Sequence, residues 1–135
     1  MKLLETVNNN PQTVASLSTL NLGNVKHRVC YGAFEYNDSD TITLIQPGWY
    51  FISVKADLTS TVASQAMTLA LYGNGVVVSE TETNSFETVV GTTTNLSFTK
   101  IAKVCLNQPI NLTLVNTSSD SIIYDDLIVD IVKVN

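Results

Sequence analysis

Charge is scarce in this chain. Only 14% of its 135 residues are Asp, Glu, Lys or Arg, against about a quarter in an ordinary soluble domain. Thr, Ser and Asn take the vacant places. Such a polar, uncharged surface keeps pleated strands wetted without loading them with Lys and Glu, which sit poorly there. An all-β class follows. Basic residues are fewest: seven Lys and Arg stand against twelve Asp and Glu, for a net charge of −5. Phosphate backbones are held by clustered Lys and Arg, so no nucleic-acid partner is expected. No apolar run approaches the roughly 20 residues that a membrane-crossing helix needs, and no membrane partner is expected either. The opening MKLL is too short for a leader's charged and apolar regions. The expectation is a protein used without export through a cleaved leader, in the cytoplasm or in a virion.

Cysteine and histidine are almost absent. Cys30 and Cys105 each lie in an apolar run, VCY and VCL, and read as buried free thiols because free cysteine packs as a small hydrophobe. A disulfide between them needs Cα atoms within about 7 Å, which spacing does not decide. There is no C-x-x-C pair and only one histidine, so neither a metal nor a cofactor is expected. His27 lies between Lys26 and Arg28, and no G-x-S-x-G turn singles out a nucleophile. No catalytic residue is assigned and the chain is not expected to be an enzyme. His27 reads instead as a surface or subunit-contact group whose charge responds to mild acid. Asp38 with Asp40, and Asp125 with Asp126 near Asp120, depart from the calcium-loop spacing and read as solvated turn residues. The six glycines are isolated at turns, which excludes a phosphate-cradling loop. Asn-x-Ser/Thr triplets at Asn37, Asn95, Asn111 and Asn116 follow from composition, and glycosylation is not expected.

What is present is alternation. Tyr50, Ile52, Val54, Ala56 and Leu58 alternate with Phe51, Ser53, Lys55, Asp57 and Thr59, the period of a half-buried strand. Gln46-Pro47-Gly48 supplies a turn between this strand and a short run at 41–45. Met67, Leu69 and Leu71 alternate next, and Asn74-Gly75 before Val76 is a hairpin signal. Residues 79–95, rich in Ser, Thr, Glu and Asn, read as a long surface loop with room for one short strand. Alternation resumes with Leu96, Phe98, Lys100, Ala102, Val104 and Leu106. Asn107-Gln108-Pro109 then turns the chain into Ile110, Leu112 and Leu114, a second expected hairpin.

The last strand is apolar on both faces: Leu127, Val129 and Ile131 on one, Ile128, Val132 and Val134 on the other. Both faces therefore need covering. Short strands between turn signals, with no helical period after residue 24, match an antiparallel sandwich or jelly roll. Residues 1–24 read as an extended arm outside a head at 25–135. On this reading Leu3, Leu4, Val14, Leu17 and Leu20 attach the arm to another protein.

Three stretches carry a resemblance in order: Gln46-Pro47-Gly48-Trp49-Tyr50-Phe51-Ile52-Ser53, Leu69-Ala70-Leu71-Tyr72-Gly73-Asn74-Gly75 and Ile110-Asn111-Leu112-Thr113-Leu114-Val115-Asn116. As a set, over about residues 25–135, they resemble the tumour necrosis factor and complement globular-head superfamily, with the Thr/Ser/Asn-rich flavour of its microbial and phage branch. Gln108-Pro109 departs from the Gly-Asp turn frequent there, and no Gly-x-y stalk precedes the head. The resemblance implies a ten-stranded jelly roll in a homotrimer, with Tyr50, Tyr72, Phe98, Tyr124, Ile128 and Val132 in the core or at the trimer interface. It further implies a virion role: a capsid decoration or head-fibre protein of a bacteriophage, bound through the arm to a capsid or other structural protein. The alternatives are a tail or baseplate tip that binds a host receptor or glycan, and a spore-coat-like bacterial surface head.

Overall fold

The alternating runs become strands. The computed structural model describes residues 2–29, 31–78 and 81–134, the side chain of Tyr31 apart. Along the chain the strands are β1 (Lys2–Asn8), β2 (Gln12–Val14), β3 (Asn24–Val29), β4 (Phe34–Tyr36), β5 (Ile42–Leu44), β6 (Gly48–Ser60), β7 (Gln65–Gly73), β8 (Val76–Val77), β9 (Thr83–Glu87), β10 (Thr93–Val104), β11 (Ile110–Asn116) and β12 (Ile122–Lys133). A 3-10 turn, Tyr31–Ala33, is the helical element among the described residues. One sheet runs β10-β6-β12-β1-β3, with β2 also on β12, and the other runs β4-β5-β11-β7-β8, with β9 also on β7. All pairings are antiparallel. This is the expected all-β antiparallel sandwich, two layers around one core.

Parity decides what fills it. Tyr50, Ile52, Val54, Ala56 and Leu58 of β6 point inward and are buried, as alternation requires. In β12 the inward set is Ile122 and Tyr124, then Leu127, Val129 and Ile131. The change from even to odd positions is absorbed by a register shift between Asp125 and Ile128, where Asp126 takes a φ of 49°. An extra residue at a bulge restores the inward face that a straight strand would lose. From the facing sheet come Phe34, Ile42, Leu44, Met67, Leu69, Leu112 and Leu114. Phe34 meets Tyr50 edge to face at 5.8 Å, and the Tyr50 hydroxyl donates to the Gln46 carbonyl at 2.7 Å. The expected turn at Asn74-Gly75 is a hairpin between β7 and β8, with φ of 53° and 80° at its two residues.

Two expectations are corrected. Residues 1–24 are not an arm. β1 lies between β12 and β3, and β2 pairs with the first turn-proximal residues of β12. Leu4, Val14 and Leu20 are buried in the core and cannot serve as an attachment surface. Leu17 is exposed and Leu3 is half-buried on the sheet's outer face. The segment after β2 bridges to β11, with Leu17 N–H donating to the Asn116 carbonyl and Leu20 N–H to that of Leu114. Gly23, at φ +84°, lets this segment pass so near β1 that a Cβ there would stand 2.1 Å from the Val7 carbonyl oxygen. The head therefore has no boundary at residue 24.

Nor is the pair at 96–114 a hairpin. A bridge between Cys105 and Gln108 closes a tight turn, yet β10 pairs with β6 in one sheet while β11 pairs with β5 and β7 in the other. The turn carries the chain across the sandwich. The loop expected at 79–95 carries the one short strand allowed for it, β9, while β10 starts at Thr93, ahead of the alternation that resumes at Leu96, because Thr there occupies strand positions without leaving an apolar period.

Truncating Leu4 tests the first correction. Leu4→Ala should lower unfolding free energy by about 2–5 kcal/mol, read by urea denaturation, while Leu17→Ala stays within about 0.5 kcal/mol of the parent. Equally small effects would return residues 1–24 to a detached arm.

Candidate assembly surface

The outer face of the β10-β6-β12-β1-β3 sheet carries an apolar row. The registers Ile101↔Phe51, Phe51↔Val132, Val132↔Leu3 and Leu3↔Val29 align five apolar residues across five strands. Ile101, Phe51 and Val29 are 58%, 39% and 45% exposed, and Leu3 and Val132 are half-buried. Beside the row lies Trp49, 45% exposed, with the Lys103 ammonium 5.5 Å from its ring centroid. Val134, also exposed, donates its N–H to the Trp49 carbonyl at 2.9 Å. A contiguous apolar band of this kind on a soluble domain marks an interaction surface.

A second apolar surface sits at the edge of the sandwich. There Leu71, Val76, Val77, Ile101, Ile110 and Leu112 help to line a cleft of about 280 Å³ between the β10 edge and β8. Ile101 belongs to both surfaces.

Next to the apolar row the same five strands carry a polar one: Thr99, Ser53, Asp130, Glu5 and His27. His27 Nδ1 lies 2.9 Å from Glu5 Oε1. Burial, and then the hydrogen bond and charge of Glu5, push the Asp130 carboxyl up to about 6. Glu5 is held below the usual carboxylate range by hydrogen bonds from Asp130 and from His27. One proton shared between two adjacent carboxyls accounts for both directions.

The residues singled out from sequence divide between core and surface. Tyr50 and Tyr124 are buried, Tyr124 donating to Gln12 Oε1 and accepting from the Asn21 N–H at 2.8 Å. Phe98 packs against the core from β10, and Tyr72 is half-buried in β7. Ile128 and Val132 lie on the outer face of β12. Sequence reasoning missed Trp49, Phe51, Ile101 and Val29. The signal was there: Trp49 and Phe51 are apolar at the outward positions of an alternating strand.

His27 has a carboxylate partner rather than a nucleophile. Asp40 is held low by Asn37 and then Thr19, whose side chains donate to it in the turn before β5. Asp126, at the bulge, is raised by the adjacent charge of Asp125. Among the described residues no group of three His, Cys, Asp or Glu side chains is arranged to hold a metal ion. Asn116 is buried, its amide donating to the Val14 and Asp120 carbonyls, which closes that triplet to modification in the folded state. Cys105 is exposed beyond the end of β10, a correction to the buried thiol expected there, because Val104 takes the inward position. Cys30 lies outside the described residues.

No family model matches the sequence, and no curated protein matches it. Solved structures do match. The globular domain of zebrafish complement 1qA protein superimposes with a TM-score of 0.70 at 8% identity, over 100% of this chain and 98% of that one. Eiger TNF from S. frugiperda gives a TM-score of 0.70 at 11% identity, over 98% and 92%. Murine APRIL at pH 8.5 gives 0.66 at 9% identity, over 98% of each chain. The fold is the jelly roll of the tumour necrosis factor and complement heads. Each sheet holds six strands where the resemblance implied ten in all, β2 lying beyond β1 along β12 and β9 beyond β8 along β7. At these identities the likeness establishes the jelly roll and leaves its use to the surface chemistry.

Native Cys105 should react with a maleimide as fast as the same peptide does in urea, as mass spectrometry of the peptide containing it would show. A reaction limited by unfolding would put the thiol back in the interior.

Proposed function

We propose that this protein is a non-enzymatic homotrimeric head in which the outer sheet face of each copy packs against the apolar sandwich edge of the next. The apolar row Ile101, Phe51, Val132, Leu3 and Val29 carries this reading. Two different apolar surfaces on one chain make a head-to-tail contact, and such contacts close into a ring when the rotation allows. The jelly-roll likeness favours three copies.

The finer setting we propose is a bacteriophage virion, as a capsid decoration or head-fibre protein. It rests on the uncharged Thr/Ser/Asn-rich strands, which resemble the phage branch. Attachment to the particle cannot use Leu4, Val14 or Leu20, which are in the core, so the capsid contact falls to exposed loops. Mass spectrometry of purified virions tests this placement, and its absence from the particle proteins would remove it.

A receptor- or glycan-binding head is the second reading. A polar cleft of about 480 Å³ favours it, with the exposed residues Asn9, Asn10 and Asn24 in its lining. Amides offer a donor and an acceptor together, the pattern that neighbouring sugar hydroxyls require. Binding on a glycan array, lost on cutting back Asn10 and Asn24, would support this use over pure decoration.

Light scattering should return three times the 14.7 kDa chain mass at micromolar concentration. Phe51→Lys should shift this toward one chain with the strand circular dichroism intact. Trp49 is the sole tryptophan, so its emission should move to the red as the face is uncovered. A single-chain mass for the parent protein would overturn the assembly.

A further inference from the structure

We infer that this assembly is acid-favoured, gated by the Asp130 and Glu5 carboxyls that meet, beside His27, at one register of the outer sheet face. The inference rests on the proposed trimer, because it concerns the same surface.

The geometry is a polar row enclosed by apolar neighbours. Asp130 of β12 faces Glu5 of β1, which faces His27 of β3. Phe51, Val132, Leu3 and Val29 lie two residues to one side. Ile128 and Val7 lie two residues to the other. A partner that covers the apolar residues therefore covers the three titratable ones as well.

The neighbours do little to balance the two carboxylates. On its other flank Asp130 meets Ser53 of β6, and beyond it Thr99 of β10, neither of them charged. Lys55 of β6 is opposite Ile128, two residues along, and Lys133 ends β12 three residues away. Lys26 of β3 lowers Glu5 less than the hydrogen bonds from Asp130 and His27 do.

The sign follows from counting charge. With Asp130 and Glu5 both ionised, covering the face buries two adjacent negative charges, which is costly. With one proton shared between the carboxyls, the pair carries a single negative charge, with His27 Nδ1 2.9 Å from Glu5 Oε1. The charge to be buried is then halved. The Asp130 carboxyl already titrates near 6 in the uncovered face, and further desolvation raises a carboxyl. Assembly thus takes up protons, and it strengthens as pH falls from about 8 to about 5.

Sedimentation velocity on the full chain, across a dilution series at about pH 5, 6, 7 and 8 and fixed ionic strength, tests this. The midpoint concentration for assembly should rise at least tenfold between the acid and alkaline ends, the effect of about one unit of further pKa displacement. Asp130→Asn should hold the acid-end midpoint up to pH 8. Glu5→Gln, which removes the other charge, provides the same check should that variant fold poorly. A trimer whose midpoint ignores pH, or an equal pH dependence in the parent and Asp130→Asn, overturns the gate and leaves the trimer standing. One chain at every pH and concentration removes the gate and the trimer together.

Discussion

The structure hangs on β12, held between β6 on one side and β1 with β2 on the other. Its inward residues Ile122, Tyr124, Leu127, Val129 and Ile131 are all buried, and each lost side chain of this kind costs about 2–5 kcal/mol. The bulge at Asp125–Ile128 is what allows both halves of the strand to keep apolar groups inward. It also decides which residues are left outside: Ile128, Asp130 and Val132. The core and the outer face are thus two results of one register.

That register recruits the N-terminal segment. β1 completes the sheet beside β12, and residues 17–20 cross to β11 through backbone hydrogen bonds. A sheet that stopped at β12 would present an unpaired edge, a template for unwanted pairing. β1 and β3 cover it. They also extend the outer face by Leu3, Glu5, His27 and Val29, so the residues that close the domain are the ones that widen its candidate contact surface. An apolar band interrupted by a titratable row combines a driving force for association with a condition on it. Burial supplies the first and proton uptake the second.

Much of the architecture was legible from alternation. The inward set of β6, the Asn74-Gly75 hairpin and the two-faced last strand all follow from period two and turn chemistry. One short strand was allowed for within 79–95, but its position at Thr83–Glu87 was not legible, because its polar residues leave no apolar period. The crossing between β10 and β11 escaped for another reason: a tight turn looks the same in sequence whether the chain returns to its own sheet or passes to the other. Of the assembly surface, Ile128 and Val132 were readable from β12 alone, while Trp49 and Phe51 were hidden by the stronger inward signal of their own strand.

Composition and period by themselves determined an acidic, all-β sandwich with one strand apolar on both sides, because local burial demands are written into the order of side chains. Only the tertiary structure decided that Leu4 and Leu20 are core, that Leu3 lies in line with Val132 and Phe51, and that Asp130, Glu5 and His27 meet. Those facts depend on which strands pair and in what register. Pairing is settled by long-range competition for partners across the whole chain, and no local pattern encodes it.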